Sequence, residues 1–410
     1  MSGTVRSQVT ATGAGKPFRP PAVPLVTHDS YFSVWSPADR LTDAGTTHWT
    51  GKTHPLRSLL RVDGQAYRVM GTEPAALPAL PQIEVRVLPT RTLYRFGNSQ
   101  VVLALTFLTP ALPSDLEALA RPVTYLDWEV GSADSQPHSV QVYFECGAEL
   151  AVNLPQQKVV WERPAVAGLK TLKLCSKDQR ILAKKGDDLR IDWGCLYLAA
   201  TEDQHPRMAI ARGPEARKLF AENGGLPSRD DASCPRAVRD DAPVLAVSFD
   251  FGRVGQQAAS RRLMLAYDDL YSIKYFRSRL RPYWRRGAAE ATDLLQAAAR
   301  DYPALAQRCR KFDEDLMADL TRVGGEHYAL LCALAYRQTF AGNKIAADAK
   351  GMPLLFPKEN FSNGCISTVD VLFPQAPFFA HLQPCADQGH AGADPRLRLV
   401  TAMALWLRAA

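Results

Sequence analysis

Residues 353–373 bring several chemically active side chains together in one short segment, PLLFPKENFSNGCISTVDVLF. Two carboxylates, Glu359 and Asp370, stand on either side of a predicted turn. Such a pair could act as general base and general acid if their surroundings separated their pKa values. Alternatively, Glu359 could lie in the first turn of a helix, and Asp370 could cap a helix or pair with an arginine. The residue types alone leave both interpretations open.

Polar side chains between and beside these carboxylates could bind a substrate. The candidates are Lys358, Asn360, Ser362 and Asn363. The lysine could bind a carboxylate, whereas the amide and hydroxyl groups could bind an amide or stabilise an oxyanion. The structural alternative is a surface turn in which Asn and Ser cap helices. Ser362 has no histidine near it in sequence and no nucleophile-elbow pattern, and we expect Cys365 to be a small buried residue.

The elements that must position this segment change from strands to helices along the chain. Between Leu59 and about Leu270, short runs of alternating apolar and polar residues predict many strands and a large antiparallel sandwich. Asp63-Gly64 marks a hairpin turn, and the ARKLFAEN run predicts a short helix. From about residue 285, helical spacing predicts one helix that breaks before Pro303 and a second that ends at Gly324-Gly325. A third helix is predicted over residues 326–348.

Composition excludes several classes of protein. The chain has 410 residues, 46% of them hydrophobic, which is enough for a large core divided between two or more domains. The net charge is +7, and we interpret the arginine- and aromatic-rich segment 275–286 as a linker rather than a nucleic-acid patch. Eight cysteines lack any CxxC pair, so buried thiols and one or two disulfides both remain open.

No feature of the sequence predicts a bound metal, another cofactor or a membrane span. His48 and His54 lack the partners of a metal site, and no run of about 18 apolar residues occurs. The N-terminal residues lack an apolar signal region, so the sequence as written predicts a cytoplasmic protein. We therefore expect a small-molecule substrate, with no nucleic-acid partner. The oligomeric state stays open.

Three long motifs resemble the glutaminase A family of fungi and bacteria. They are the N-terminal stretch from PPAVPLVTHDSYFSVWSPADRLTD to HWTGKTHPL, then YALLCALAYRQTF, then PLLFPKENFSNGCISTVDVLFP. The resemblance covers roughly residues 17–380. It implies an N-terminal β-sandwich followed by an (α/α)6 barrel like those of six-hairpin glycosidases, and hydrolysis of L-glutamine to L-glutamate and ammonia. Family members are often secreted or periplasmic.

The Gly-, Ser- and Thr-rich N-terminus, the change from strands to helices near residue 285 and the resemblance together predict a domain division. We expect a disordered segment 1–16, a sandwich domain with its N-terminal arm at 17–285, the first barrel helices at 286–380 and a divergent tail at 381–410. The tail does not continue the family pattern, so the barrel is expected to be incomplete, and the chain alone to be poorly soluble or inactive. Two alternatives to a glutaminase remain: a glycoside hydrolase, for which paired carboxylates are also suited, and a non-catalytic ligand-binding fragment.

Overall fold

The structure is a computed structural model that describes residues 19–184, 188, 190–358 and 364–381, the last six without their side chains. The strands are β1 (Val23–Val26), β2 (Val34–Ser36), β3 (Leu56–Val62), β4 (Gln65–Met70), β5 (Gln82–Val87), β6 (Arg91–Gly97), β7 (Val101–Leu108), β8 (Val123–Ser132), β9 (His138–Gly147), β10 (Lys158–Glu162), β11 (Leu169–Ser176), β12 (Cys195–Thr201), β13 (Arg207–Arg212), β14 (Arg236–Ala237), β15 (Pro243–Val254), β16 (Ala259–Asp268), β17 (Ile273–Tyr275), β18 (Ser278–Pro282), β19 (Asn343–Ala347) and β20 (Pro353–Pro357). The helices are α1 (Leu116–Leu119), α2 (Gly213–Asn223), α3 (Ala291–Ala341) and α4 (Val369–His381), with short 3-10 turns at Ala148–Ala151, Glu202–Gln204 and Tyr283–Ala288.

Two antiparallel sheets form a sandwich, which confirms the predicted β-sandwich. One sheet has nine strands in the order β14-β10-β11-β12-β16-β8-β7-β6-β5, and the other has five in the order β13-β15-β9-β3-β4. Alternation on β8 shows how the sequence builds these layers, because successive strand residues point to opposite faces. Leu126 and Trp128 enter the main core, whereas Tyr125 faces α3 and donates to the Ala298 carbonyl at 2.9 Å.

Two local predictions from the sequence are confirmed. Asp63 and Gly64 connect β3 and β4 with φ values of 46° and 92°, a left-handed conformation that glycine adopts without strain. The predicted short helix is α2, in which Pro214 occupies the first turn and Gly224, at φ 74°, caps the C-terminus. Phe220 of this helix is buried against the five-stranded sheet.

The long helix α3 lies against the outer face of the nine-stranded sheet. The predicted break before Pro303 is wrong: the helix runs through this proline, whose ring is exposed, so the unbonded carbonyl one turn earlier can be hydrated. The predicted stop at Gly324-Gly325 is confirmed as a break within α3, because Gly325 takes φ 81° and ψ 176°. The helical segment after this break ends at Ala341.

A third sheet joins the linker to the chain that follows α3. The predicted third helix over 326–348 is wrong at its C-terminal end, because residues 343–347 form strand β19. Strand β19 lies between β18 and β20 in a sheet of the order β17-β18-β19-β20. The aromatic and arginine-rich linker therefore pairs with residues more than sixty positions later. Arg285 within this segment forms ion pairs with Asp268 at 3.1 Å and with Glu290. The linker therefore pairs with the rest of the fold and buries residues 282–285, whereas residues 275–279 are exposed.

The N-terminal arm is also part of the folded core. Strands β1 and β2 pair with each other, and the segment between them is almost entirely buried. Trp35 stacks on Trp49 with 6.1 Å between ring centroids, as expected of aromatic anchors for the arm. A disulfide links Cys175 on β11 to Cys195 directly opposite on β12. Of the two possibilities that the sequence left open, free thiols or disulfides, these two cysteines form a disulfide.

Candidate functional site

The bend between β1 and β2 delivers two side chains to the junction of the arm, the sandwich and the third sheet. Asp29 is 2% exposed, and its Oδ1 accepts a hydrogen bond from the Tyr31 amide at 2.8 Å. This local bond fixes the carboxylate in a tight turn, as is common for aspartate. The ring of Tyr31 is also buried and faces a pocket.

Lys344 on β19 lies between two buried carboxylates. Its Nζ is 2.7 Å from Asp29 Oδ2 and 2.9 Å from Asp269 Oδ2, and Ser272 Oγ donates to the same Asp269 oxygen at 2.7 Å. Burial alone would lower the pKa of Lys344, but the charges of Asp269 and Asp29 outweigh burial and raise it. Burial likewise opposes ionisation of Asp29, yet Lys344 holds the pKa of Asp29 below its usual range. Lys344 and Asp29 therefore both stay charged.

Lys358, predicted to bind a carboxylate, lies beside this network. It follows β20 directly, and its backbone amide donates to the Gly342 carbonyl at 2.8 Å. Its side chain is buried, with Nζ 3.9 Å from the ring centroid of Tyr31, a cation–π contact. Burial, together with the Lys344 charge, lowers the pKa of Lys358 below its usual value. The pKa shifts of the two lysines have opposite directions because Lys344 forms ion pairs with both Asp29 and Asp269, whereas Lys358 forms no direct ion pair with either.

A pocket of about 150 Å³ opens next to Lys358. Its wall combines four cationic side chains with aromatic and aliphatic ones. The lining residues are Tyr31, Leu182, Lys184, Arg190, Trp193, Ser272, Ile273, Lys274, Lys358, Gly364 and Ile366. No carboxylate belongs to this described lining, so the pocket attracts anions.

The structure locates only some of the predicted site residues. Glu359, Asn360, Ser362 and Asn363 lie outside the described residues, so their roles stay predictions. Asp370 lies exposed in the first turn of α4. Cys365 is exposed, so the expectation that it is buried is wrong.

The arm contains two buried histidines, His48 and His54, and a half-buried one, His28, that sequence reasoning left without a role. His48 Nε2 donates to the Ser30 carbonyl at 2.9 Å, while its Nδ1 accepts from the Thr50 amide at 3.3 Å. His54 Nδ1 donates to the Ser33 carbonyl at 3.0 Å. Burial lowers the pKa of His48 to about 3, lowers the pKa of His28 to about 3, and lowers that of His54 well below its usual value. These rings are neutral at pH 7. Within the described ranges, no group of three or more His, Cys, Asp or Glu residues could hold a metal ion.

Sequence reasoning missed most of the residues that the fold brings to the pocket. Lys344 was expected in a helix, and Asp269 and Arg190 come from the sandwich, so no sequence spacing connects them. Asp29 stands in the N-terminal stretch PPAVPLVTHDSYFSVWSPADRLTD, whose resemblance to the family was the signal that could have pointed to it.

Three protein-family models match successive parts of the chain. The family model described as "Domain of unknown function (DUF4964)" matches residues 2–81, and "Domain of unknown function (DUF5127)" matches residues 90–319. The model "Glutaminase A six helical-hairpin domain" matches residues 325–389. In the part of the chain that the structure describes, no helix is long and apolar enough to cross a membrane.

Two curated fungal proteins are similar over most of the chain. Glutaminase A of Aspergillus oryzae is 31% identical over 402 aligned positions, which cover 93% of this chain and 57% of that protein. A probable glutaminase of Arthroderma benhamiae is 23% identical, covering 89% of this chain and 45% of that protein. The chain thus spans about half the length of these relatives.

Among solved structures, a putative kojibiose phosphorylase from the human microbiome superposes with a TM-score of 0.39 at 7% identity, covering 78% of this chain and 39% of that one. A superposition of this quality supports no conclusion by itself. The β-sandwich, the helical region and the family models together define a protein that combines a sandwich with a six-hairpin helical region. The chain belongs to the glutaminase A-like family.

Proposed function

We propose that this chain forms part of a glutaminase-like amidohydrolase, which converts L-glutamine and water to L-glutamate and ammonia. The observation that carries the proposal is the 31% identity to Glutaminase A over 93% of the chain. Glutamine carries a carboxylate, and the cationic pocket at Lys358 supports recognition of such a group. A neutral sugar, the substrate expected of a glycoside hydrolase, would gain less from four surrounding cations.

Amide hydrolysis needs an activated water or nucleophile, a proton donor for the leaving ammonia and donors for the oxyanion. Under this proposal Glu359 and Asp370 supply base and acid, whereas Asn360, Ser362 and Asn363 bind the amide. Lys358 and Gly364, which flank residues 359–363 in sequence, both line the pocket. This flanking position supports a role for the segment at the pocket.

The test measures ammonia release from glutamine by the purified chain, beside reducing-end release from an oligosaccharide panel. Ammonia release that falls about a hundredfold or more in Glu359→Gln supports the assignment, because acid–base groups typically contribute 10²–10⁴-fold. Asp319→Asn, an exposed substitution on α3, serves as the control. Sugar release without ammonia release would favour the glycoside hydrolase, and binding of glutamine without turnover would favour a ligand-binding fragment.

A further inference from the structure

Two buried cations in the pocket form no direct ion pair with a carboxylate of the described residues. They are Arg190, which is 5% exposed, and Lys358, which is 4% exposed. The Glu149 carboxylate acts on Arg190, and the Asp29 carboxylate acts on Lys358, only at longer range. Burying a charge costs several kcal/mol unless an opposite charge compensates it, so such an arrangement requires an explanation.

The Arg190 guanidinium is positioned by main-chain oxygens. Nη1 donates to the Thr53 carbonyl at 2.9 Å, and Nη2 donates to the Asn153 carbonyl. Its Nε is buried and has no hydrogen-bond partner. The carbonyls orient the guanidinium but leave its charge uncompensated, which is how a binding site for an anion is prepared in advance.

The rest of the wall specifies the kind of anion. Lys184 and Lys274 add positive charge at the more exposed part of the pocket, whereas Trp193, Ile273 and Ile366 contribute apolar surface. The indole N–H of Trp193 is not available to a ligand, since Nε1 donates to the Asp269 carbonyl at 2.7 Å. Cations combined with apolar walls match two carboxylates that are joined by a short methylene chain.

We propose that this pocket is a binding site for a compact dicarboxylate, with Arg190 and Lys358 as its principal anion-binding residues. The volume of about 150 Å³ accommodates such a ligand, since it equals the liquid volume of roughly five water molecules. The inference does not depend on glutamine hydrolysis, because its test measures binding of a compound that has no amide.

The test is calorimetric titration of the full chain with glutarate, and then with glutamate, glutamine and inorganic phosphate. Glutarate is expected to bind most tightly, and its affinity should fall as the salt concentration rises. Arg190→Met and Lys358→Met should each weaken glutarate binding about tenfold to a hundredfold, as expected for a charged hydrogen bond. The exposed control Lys177→Met should leave binding unchanged.

Thermal unfolding of the same variants without ligand gives an independent readout. Because Lys358 forms no direct ion pair, Lys358→Met should keep a melting temperature close to that of the wild type, while glutarate no longer raises it. If Arg190→Met fails to fold, Lys358→Met alone decides the question. Absence of glutarate binding, phosphate binding as tight as glutarate, or unchanged binding in Lys358→Met would each overturn the proposal.

Discussion

The ammonium of Lys344 lies 2.7 Å from Oδ2 of Asp29, a residue 315 positions earlier in the chain. Both side chains are at most 5% exposed. The pair joins the N-terminal arm to the strand that follows the long helix α3. Because Asp269 at the end of the sandwich segment contacts the same ammonium, three distant parts of the chain meet at one cation.

Substitution Lys344→Met should destabilise the protein strongly. It leaves the Asp29 and Asp269 carboxylates buried without their shared cation, and breaking a buried pair in this way costs about 3–5 kcal/mol. Urea denaturation measures the loss in free energy of unfolding. The exposed substitution Lys350→Met is the control and should change stability by less than about 0.5 kcal/mol. Equal stability of the two variants would show that the network contributes little.

Asp313 on α3 should be needed for docking the helix onto the sandwich. Its carboxylate accepts from the Thr90 amide at 2.8 Å, from Thr90 Oγ1 at 2.9 Å and from Arg91 Nε at 2.7 Å. Asp313→Ala leaves these donors unpaired, which should cost about 3 kcal/mol or more. Asp315→Ala, two positions later, removes only an exposed pair with Lys311 and should cost under about 0.5 kcal/mol. A loss of similar size in both variants would contradict the assigned role of Asp313.

Acid should unfold the protein through its buried arm histidines. The folded-state pKa values of His28 and His48 are about 3, below the ordinary value of 6.5, so the unfolded chain binds more protons between these limits. Stability is therefore fully present above about pH 6.5 and is lost as the pH falls, by up to about 1.4 kcal/mol per pH unit for each histidine. His48→Gln should reduce proton uptake on unfolding at pH 5 by about one proton. An unchanged pH slope would show that His48 is not a buried neutral ring.

His138 should have the opposite pH dependence. Its Nδ1 lies 2.6 Å from Asp63 Oδ2 and its Nε2 lies 2.9 Å from Asp134 Oδ1, and these hydrogen bonds raise the pKa of His138. The stability that it contributes is fully present below pH 6.5 and is lost as the pH rises through the raised pKa. His138→Gln should thus destabilise more at pH 5 than at pH 9, measured by urea titration. A larger effect at pH 9 would reverse the assignment.

Reduction of the Cys175–Cys195 disulfide should lower stability. The bridge closes a loop with a sequence separation of 20 residues, for which loop closure contributes about 3 kcal/mol. Thermal melts with and without reductant measure this contribution. The double variant Cys175→Ala, Cys195→Ala is the control, since its melting temperature should not respond to reductant. A response in that variant would assign the effect to other thiols.

Local sequence determined those features whose physical cause is local. Alternating residues produced the sandwich strands, Asp63-Gly64 produced a hairpin, and Gly325 produced the break in α3. Three motifs together indicated the family, and the one at residues 353–373 contains Lys358, which lines the pocket. The strand β19 was missed because residues 343–347 come directly after a segment with strong helical spacing. Only their pairing with β18 and β20 makes them extended.

Only the tertiary structure brings the residues of the pocket together. Arg190 enters from the sandwich, Tyr31 from the arm and Lys358 from the chain after α3, and no spacing in the sequence relates them. The sequence predicted Lys358 as a binding residue and placed Lys344 in a helix, but it gave no sign that the two ammonium groups would lie in different surroundings. Their difference arises from burial and neighbours: Lys344 meets two carboxylates, whereas Lys358 meets an aromatic ring and an anion-attracting pocket. Charge compensation depends on distances across the fold, and these exist only once the chain has folded.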